Sequence, residues 1–92
     1  MIPEEELIKH KWKYIQAYNI WSKLCVSFSN ADRESGHFTI RYADCLAIDT
    51  SAPSIEDLER DIKRGTEIIF SNKPFYSILT TKQKRTLKNW IL

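Results

Sequence analysis

The residues of this chain that could hold a metal ion are two histidines and two cysteines. They stand far apart in the sequence as His10, Cys25, His37 and Cys45. Zinc sites usually draw their ligands in local pairs such as Cys-x-x-Cys, and the chain has no pair of that kind. We therefore expect no metal site and no cofactor, with the cysteines as buried thiols and the histidines as surface imidazoles.

The same side chains could in principle serve in catalysis. A Cys–His nucleophile would need a third group to orient the histidine, and the sequence offers no sign of one. His37 and Arg41 could resemble a small ribonuclease site, because phosphodiester cleavage uses acid–base chemistry and a cation. Such residues on the outward face of an exposed hairpin need no catalytic role. The sequence thus predicts no catalytic residues and a non-enzymatic protein.

The most distinctive charged feature lies at the C-terminal end. Residues 73–92 contain five basic residues and no acidic ones, whereas all twelve acidic residues lie in 1–72. At helical spacing, Leu87, Trp90 and Ile91 form an apolar face with basic side chains beside it. The pattern fits a solvated helix face, or a contact for phosphates or an acidic partner. The candidate nucleic-acid-binding residues are Lys82, Gln83, Lys84, Arg85 and Lys88.

A helix-turn-helix would give this basic helix a specific use. The short segment Phe75–Leu79, a two-threonine turn and the basic helix could form such a motif, with basic residues opening the recognition helix. The string Leu79-Thr80-Thr81-Lys82-Gln83, followed by Leu87, resembles the opening of helix-turn-helix domains in the LuxR and sigma-factor class. The match covers nine residues. It implies DNA binding, which is the alternative function.

A long helix is predicted at the N-terminal end. Pro3 suits a first helical turn, and the three glutamates after it would lie at the positive end of the helix dipole. From Leu7 to Trp21, apolar residues recur at a spacing that makes a wide apolar face. A small domain can cover only one side of such a helix, so the surplus aromatics predict a partner interface or dimer seam. The candidate partner-binding residues are Trp12, Tyr14, Tyr18 and Trp21.

The middle of the chain shows a different periodicity. Apolar residues alternate with polar ones in 24–29 and 37–42, and the polar segment between them ends in Gly36. This pattern predicts a β-hairpin, with a third short strand around Cys45–Ile48 as an addition and a helix over Phe38–Ile48 as the competing interpretation. Further on, Ser54 predicts the start of a helix that Gly65 either interrupts or ends.

Together these elements predict an α+β fold in a single domain, residues 1–92. The expected architecture is helix-rich, with a long N-terminal helix, a central β-hairpin or short meander, and C-terminal helices. An all-α bundle is the alternative. Hydrophobic residues make up 42% and charged residues 28% of the chain, which is typical of a globular domain.

Composition also bounds the location and the function. The first residues are acidic where a signal peptide would be basic, and no apolar run is long enough to cross a membrane. We expect a cytoplasmic protein with reduced cysteines and no membrane contact. The expected function is that of a small regulatory or accessory protein acting through a protein partner, with a homodimer as one form. A nucleic-acid-binding regulator is the alternative.

Overall fold

The computed structural model describes residues 1–92 and contains five strands, five α-helices and one 3₁₀ helix. The strands are β1 (Lys13–Ile15), β2 (Ile20–Lys23), β3 (Val26–Ser29), β4 (His37–Tyr42) and β5 (Leu46–Ser51). The helices are α1 (Glu4–Lys9), α2 (Asn30–Ser35), α3 (Ile55–Ser71), α4 (Lys73–Ser77) and α5 (Thr81–Leu87), and the 3₁₀ helix is Lys88–Trp90. None of these helices combines the length and the apolar character that crossing a bilayer requires.

All five strands belong to one antiparallel sheet, and their order in the sheet is their order in the chain. Strands β1 and β5 are therefore the two edges. The longest ladder joins β4 to β5, with six residue pairs from His37↔Ser51 to Tyr42↔Leu46. A sheet of this size contradicts the all-α alternative.

The predicted long N-terminal helix is wrong, because α1 ends at Lys9. Lys11 has a φ of 72°, which lies outside the right-handed helical region, and the following residues form the β1–β2 hairpin. The spacing from Tyr14 to Trp21 suits a helix, but tyrosine, isoleucine and tryptophan also favour strands. Pairing of β2 with β3 favours the strand over the helix. It gives the backbone N–H and C=O groups of β2 hydrogen-bond partners and sets Trp21 opposite Phe28.

The two alternating segments in the middle of the chain form β3 and β4, within a larger sheet than the predicted hairpin. The polar segment between these strands is a short helix, α2, rather than a loop. It ends at Ser35, and the following Gly36 has a φ of 77°, the left-handed conformation that glycine adopts most easily. Residues Phe38–Ile48 form no helix, and the third strand extends to Ser51.

Helix α3 covers one face of the sheet. Ser54 caps it by accepting a hydrogen bond from the backbone N–H of Asp57, and the helix continues unbroken through Gly65. The largest part of the core lies between α3 and the sheet, and its residues are Trp21, Val26, Phe28, Phe38, Ile40, Tyr42, Ile55, Leu58, Ile62 and Ile69. Along β4, His37, Thr39 and Arg41 alternate with buried residues and are exposed on the opposite face.

Helix α5 packs near the end of the sheet where the β2–β3 and β4–β5 turns lie. Leu87 is completely buried, and the Gln83 side chain donates a hydrogen bond to the carbonyl of Ala43, at 3.5 Å. The indole N–H of Trp90 donates to the carbonyl of Leu24, at 3.1 Å. These contacts tie the basic helix to the sheet through both turns.

Candidate functional site

The four aromatic candidates lie on and just before the β1–β2 hairpin instead of on a helix. The structure buries the two indoles, since Trp12 and Trp21 are each 2% exposed. It leaves Tyr14 and Tyr18 on the surface, with Tyr18 75% exposed in the turn between the strands. The buried indoles supply much of the core. The ring centres of Trp12 and Phe28, for example, are 4.9 Å apart. Partner binding by the four residues stays a prediction, and its surface members are the two tyrosines.

The five candidates of the basic helix divide into two groups. Gln83 forms a capping box with Thr80 and contacts Ala43, and Lys84 Nζ lies 4.3 Å from the ring centre of Tyr76. These two side chains are committed to contacts within the chain. The other three are exposed and form no ion pair, and they are Lys82, Arg85 and Lys88.

The histidines and cysteines do not converge. No three side chains of the His, Cys, Asp or Glu types lie close enough to share a metal ion. Cys25 is half-buried and Cys45 is exposed, so the expectation of two buried thiols is wrong for Cys45. His37 lies on the exposed face of β4, with Nδ1 2.8 Å from the Ser51 hydroxyl, while His10 is half-buried near Glu59.

A cluster around Glu59 ties α3 to the β2 side of the sheet. The Glu59 carboxylate accepts hydrogen bonds from the Trp12 indole at 2.9 Å and the Lys23 ammonium at 2.6 Å, with His10 Nδ1 at 3.6 Å. Lys23 Nζ also lies 5.1 Å from the ring centre of Trp90. We call these five residues the Glu59 cluster. Its ion pair and two indoles link α3, β2 and the 3₁₀ helix.

The opposite edge of the sheet has no such cover. Strand β5 pairs with β4 through all six of its residues, and their backbones form no hydrogen bond outside this ladder. In an antiparallel edge strand, alternate residues direct their N–H and C=O groups outward. Strand β5 therefore presents a row of unpaired backbone donors and acceptors, which we call the β5 edge.

A groove lies between β5 and α3 along this edge. Its volume is about 190 Å³, and we call it the β5–α3 groove. The side chains that line it are Ile40, Tyr42, Ile48, Asp49, Thr50, Asp61, Arg64 and Ile68, together with Gly65. Ile68 is 50% exposed although it is apolar. The groove thus places an apolar surface directly beside free backbone groups.

Close packing of α3 on the sheet forms the floor of the groove. The Tyr42 side chain packs so tightly under the helix that a Cβ at position 65 would lie 2.8 Å from its Cζ atom. The Tyr42 hydroxyl donates to the carbonyl of Ile62 at 3.4 Å. Burial raises the pKa of Tyr42, and the negative charge of Asp61 raises it further, so the hydroxyl keeps its proton.

The groove has a polar end and an apolar end. Thr50 donates a hydrogen bond to Asp61 at 2.7 Å, and Arg64 approaches the same carboxylate at 4.0 Å. Toward the other end lie Ile48 and Ile68. Helix α3 runs in the direction opposite to β5. The groove is therefore polar beside Thr50 and apolar beside Ile48.

Sequence reasoning did not find the groove, although two local signals were available. Ile48 and Thr50 are β-branched and continue an alternation that extends the predicted third strand. Gly65 stands inside a strongly amphipathic helix, where a glycine indicates close approach of another group. Neither signal says that the outer side of β5 stays free.

Comparison with known proteins identifies no relative of this chain. No family model matches the chain, and neither the curated proteins nor the solved structures contain a match. Function must therefore be inferred from the surfaces of this chain alone.

Proposed function

We propose that this chain is a small non-enzymatic regulatory or accessory protein that binds a protein partner by strand addition. An extended segment of the partner pairs with β5 as a sixth strand and lays alternate side chains in the β5–α3 groove. The observation that carries this proposal is the free β5 edge beside a partly apolar groove. Strand addition is an established mode of peptide recognition, in which backbone bonds supply affinity and side-chain pockets supply specificity.

The β5 edge lacks the features that usually prevent strand addition. Natural edge strands are kept from pairing by lysines, prolines, bulges or a short length. Strand β5 has six residues, contains no lysine or proline, and pairs with β4 in an unbroken register. Its only charged residue is Asp49. An added strand therefore meets a continuous set of backbone partners.

The groove defines which side chains an added strand should carry. Alternate residues of a strand point to the same face and stand about 6.5 Å apart. On the α3 side, one such residue would meet Ile48 and Ile68, and another would lie near Asp61. The first should be apolar, so that it covers the exposed Ile68. The second should be basic, because the Asp61 carboxylate lies at that end of the groove.

This charge argument favours a different protein over a second copy of the chain. In a homodimer formed by β5 pairing, the added strand would be Leu46–Ser51 of another copy, which contains no basic residue. It would therefore leave the Asp61 carboxylate of the groove without a basic partner from the added strand; the Asp49 side chain lies on the opposite face, where it accepts a hydrogen bond from Thr39. A partner segment with a lysine or arginine beside an apolar residue complements both ends.

We also propose a cytoplasmic location. Cys25 and Cys45 are both free thiols, the state that a reducing compartment maintains. A partner reached by strand addition would then be another cytoplasmic protein, or an extended tail of one.

Selection from a displayed library of random peptides tests the proposal even while the partner is unidentified. We expect enriched peptides to combine an apolar and a basic residue two positions apart. Amide NMR signals of residues 46–51 should shift on addition of such a peptide, and their hydrogen exchange should slow. Ile68→Lys should weaken binding at least tenfold, because it places a charge in the apolar end of the groove.

Ile78, the residue that follows α4, provides a matched control. Ile78 is 53% exposed, close to the value for Ile68, and it does not line the groove. Ile78→Lys should leave peptide binding unchanged. Failure to enrich any peptide, or equal effects of the two substitutions, would overturn strand addition at β5. A concentration-dependent dimer that Ile68→Lys abolishes would replace the partner segment by a second copy.

A further inference from the structure

The exposed side of the C-terminal helix carries a stripe of polar and basic residues. We call it the basic stripe, and it consists of Thr81, Lys82, Arg85, Lys88 and Asn89, all of which are exposed. Successive cations in the stripe stand three residues apart, about 4.5 Å along the helix axis. Contacts of Leu87 and Trp90 with the sheet hold the helix in place. The positive charges are therefore presented in a defined array.

The charge of the basic stripe is not neutralised within the chain. The five ion pairs of the structure involve other basic residues, and residues 68–92 contain no acidic side chain. Lys84, a further cation on the same helix, lies over the ring of Tyr76 in a cation–π contact and pairs with no carboxylate. An anionic ligand would thus meet lysine and arginine side chains that have no competing partner.

The composition of the stripe favours phosphate over protein as its ligand. The core of a protein interface is built from desolvated apolar and aromatic residues, and lysine is depleted there. The basic stripe contains no apolar residue that could form such a core. Lysine, arginine, asparagine and threonine side chains are the groups that contact the phosphates and sugars of nucleic acids.

We propose that the basic stripe binds the phosphate backbone of duplex nucleic acid without reading its sequence. Base reading by this helix would need Gln83 and its neighbours to reach into a groove, but Gln83 is held by Thr80 and Ala43. The predicted use of α5 as a recognition helix thus gives way to backbone contact by Lys82, Arg85 and Lys88. This site is separate from the β5–α3 groove and does not depend on the proposed partner binding.

Salt dependence measures the number of phosphates contacted. Three cations that each neutralise a phosphate give a slope of about −2.7 for log affinity against log salt concentration, or about 40-fold weaker binding for a fourfold rise in salt. We would titrate the protein into a fluorescently labelled duplex of random sequence and follow anisotropy at several salt concentrations. Duplexes of different sequence should bind equally.

The decisive comparison uses two triple variants with the same change in net charge. Lys82→Gln, Arg85→Gln and Lys88→Gln together should reduce the salt slope to near zero and weaken low-salt binding at least tenfold. Lys9→Gln, Arg41→Gln and Lys73→Gln, which alter two exposed lysines and one exposed arginine outside the stripe, should change binding less than twofold. Circular dichroism would show that both variants keep the fold.

Several results would overturn the proposal. Absence of duplex binding at low salt, or equal losses in the two triple variants, would show that the stripe is only a solvated face. Equal affinity for anionic lipid vesicles or for polyglutamate would assign it to another class of partner. Ile68→Lys should retain duplex binding, so that failure of the peptide site and failure of this site can be told apart.

Discussion

The two edges of the sheet are built in opposite ways. Strand β1 has three residues, includes Lys13 and follows Lys11, so its edge is short and positively charged. Strand β5 has six residues and a single charge, Asp49. Short length and edge lysines are features by which natural sheets avoid pairing with other chains. The chain protects one edge against strand addition and leaves the other open.

The contacts of α3 with the sheet also differ between the β1–β2 side and the β5 side. Toward β1 and β2, the Glu59 cluster occupies the space between α3 and the sheet with an ion pair and two indoles. Toward β5, α3 lies directly on Tyr42 through Gly65, and the space beyond it is the β5–α3 groove. On the β2 side, these contacts hold α3 and the 3₁₀ helix on the sheet. The β5 side is the part of the sheet that can accept another chain.

The largest expected effect concerns Gly65. Gly65→Ala would place a methyl group against the Tyr42 ring, 2.8 Å from Cζ, and Tyr42 is only 1% exposed, so the ring or the helix must shift. Overpacking costs up to about 3 kcal/mol, and the higher helix propensity of alanine returns at most about 1 kcal/mol. We expect a net loss of about 2 kcal/mol in the free energy of unfolding, measured by urea denaturation.

Gly36→Ala is the control for this substitution. It costs about 1 kcal/mol for a different reason, since Gly36 has a positive φ but an added Cβ would meet only Ala52 O at 3.8 Å. In a Tyr42→Phe background the cost of Gly65→Ala should fall, whereas that of Gly36→Ala should not. If Gly65→Ala is as stable as the original chain, that result would contradict the close packing of Gly65 on Tyr42.

A smaller effect is expected on the β2 side of the sheet. Glu59→Gln keeps the shape of the side chain but removes the charge that pairs with Lys23, whose side chain is only 17% exposed. Hydrogen bonds to charged groups contribute about 1.5–3 kcal/mol, so partial retention by the amide predicts a loss of about 1–2 kcal/mol. Urea denaturation followed by tryptophan fluorescence would measure it, with the exposed Glu67→Gln as a control near zero. Equal values for the two variants would contradict a stabilising role for the cluster.

The smallest change in stability is expected at the β1 edge. Replacing Lys11 and Lys13 by threonine should alter the unfolding free energy by less than about 0.5 kcal/mol, because both side chains are exposed. It should nevertheless promote self-association, since it removes the charges that protect this edge. Sedimentation velocity at increasing protein concentration would detect the association. Unchanged sedimentation would assign the protection of β1 to its short length alone.

Local patterns predicted those parts of the fold that local interactions control. Ser54 caps α3 where the sequence predicted a helix start, and Thr80 caps α5 within the predicted two-threonine turn, because a cap needs only a backbone N–H three residues away. The alternating segments 24–29 and 37–42 contain β3 and β4. The failure came at 13–21, where helical and strand spacing are both satisfied and the choice depends on pairing with β3.

The candidate sites show the same division. The spacing of the aromatic residues predicted a partner interface, but it could not say that Trp12 and Trp21 face inward while Tyr18 stays exposed. The run of lysines indicated a basic helix, but only its docking shows that Gln83 is engaged and that Lys82 and Arg85 are free. Orientation of a side chain depends on which surface its element packs against.

By itself the sequence determined the capped helices, the alternating strand segments and the charge segregation of the C-terminal end. Each of these depends on residues a few positions apart, within reach of one helical turn or one strand repeat. Tertiary structure alone decided that residues 13–23 become two strands, that Glu59 gathers Trp12 and Lys23 from distant parts of the chain, and that β5 ends as an open edge. An edge is defined by the absence of a neighbour, and only the packing of the whole chain settles which strand lacks one.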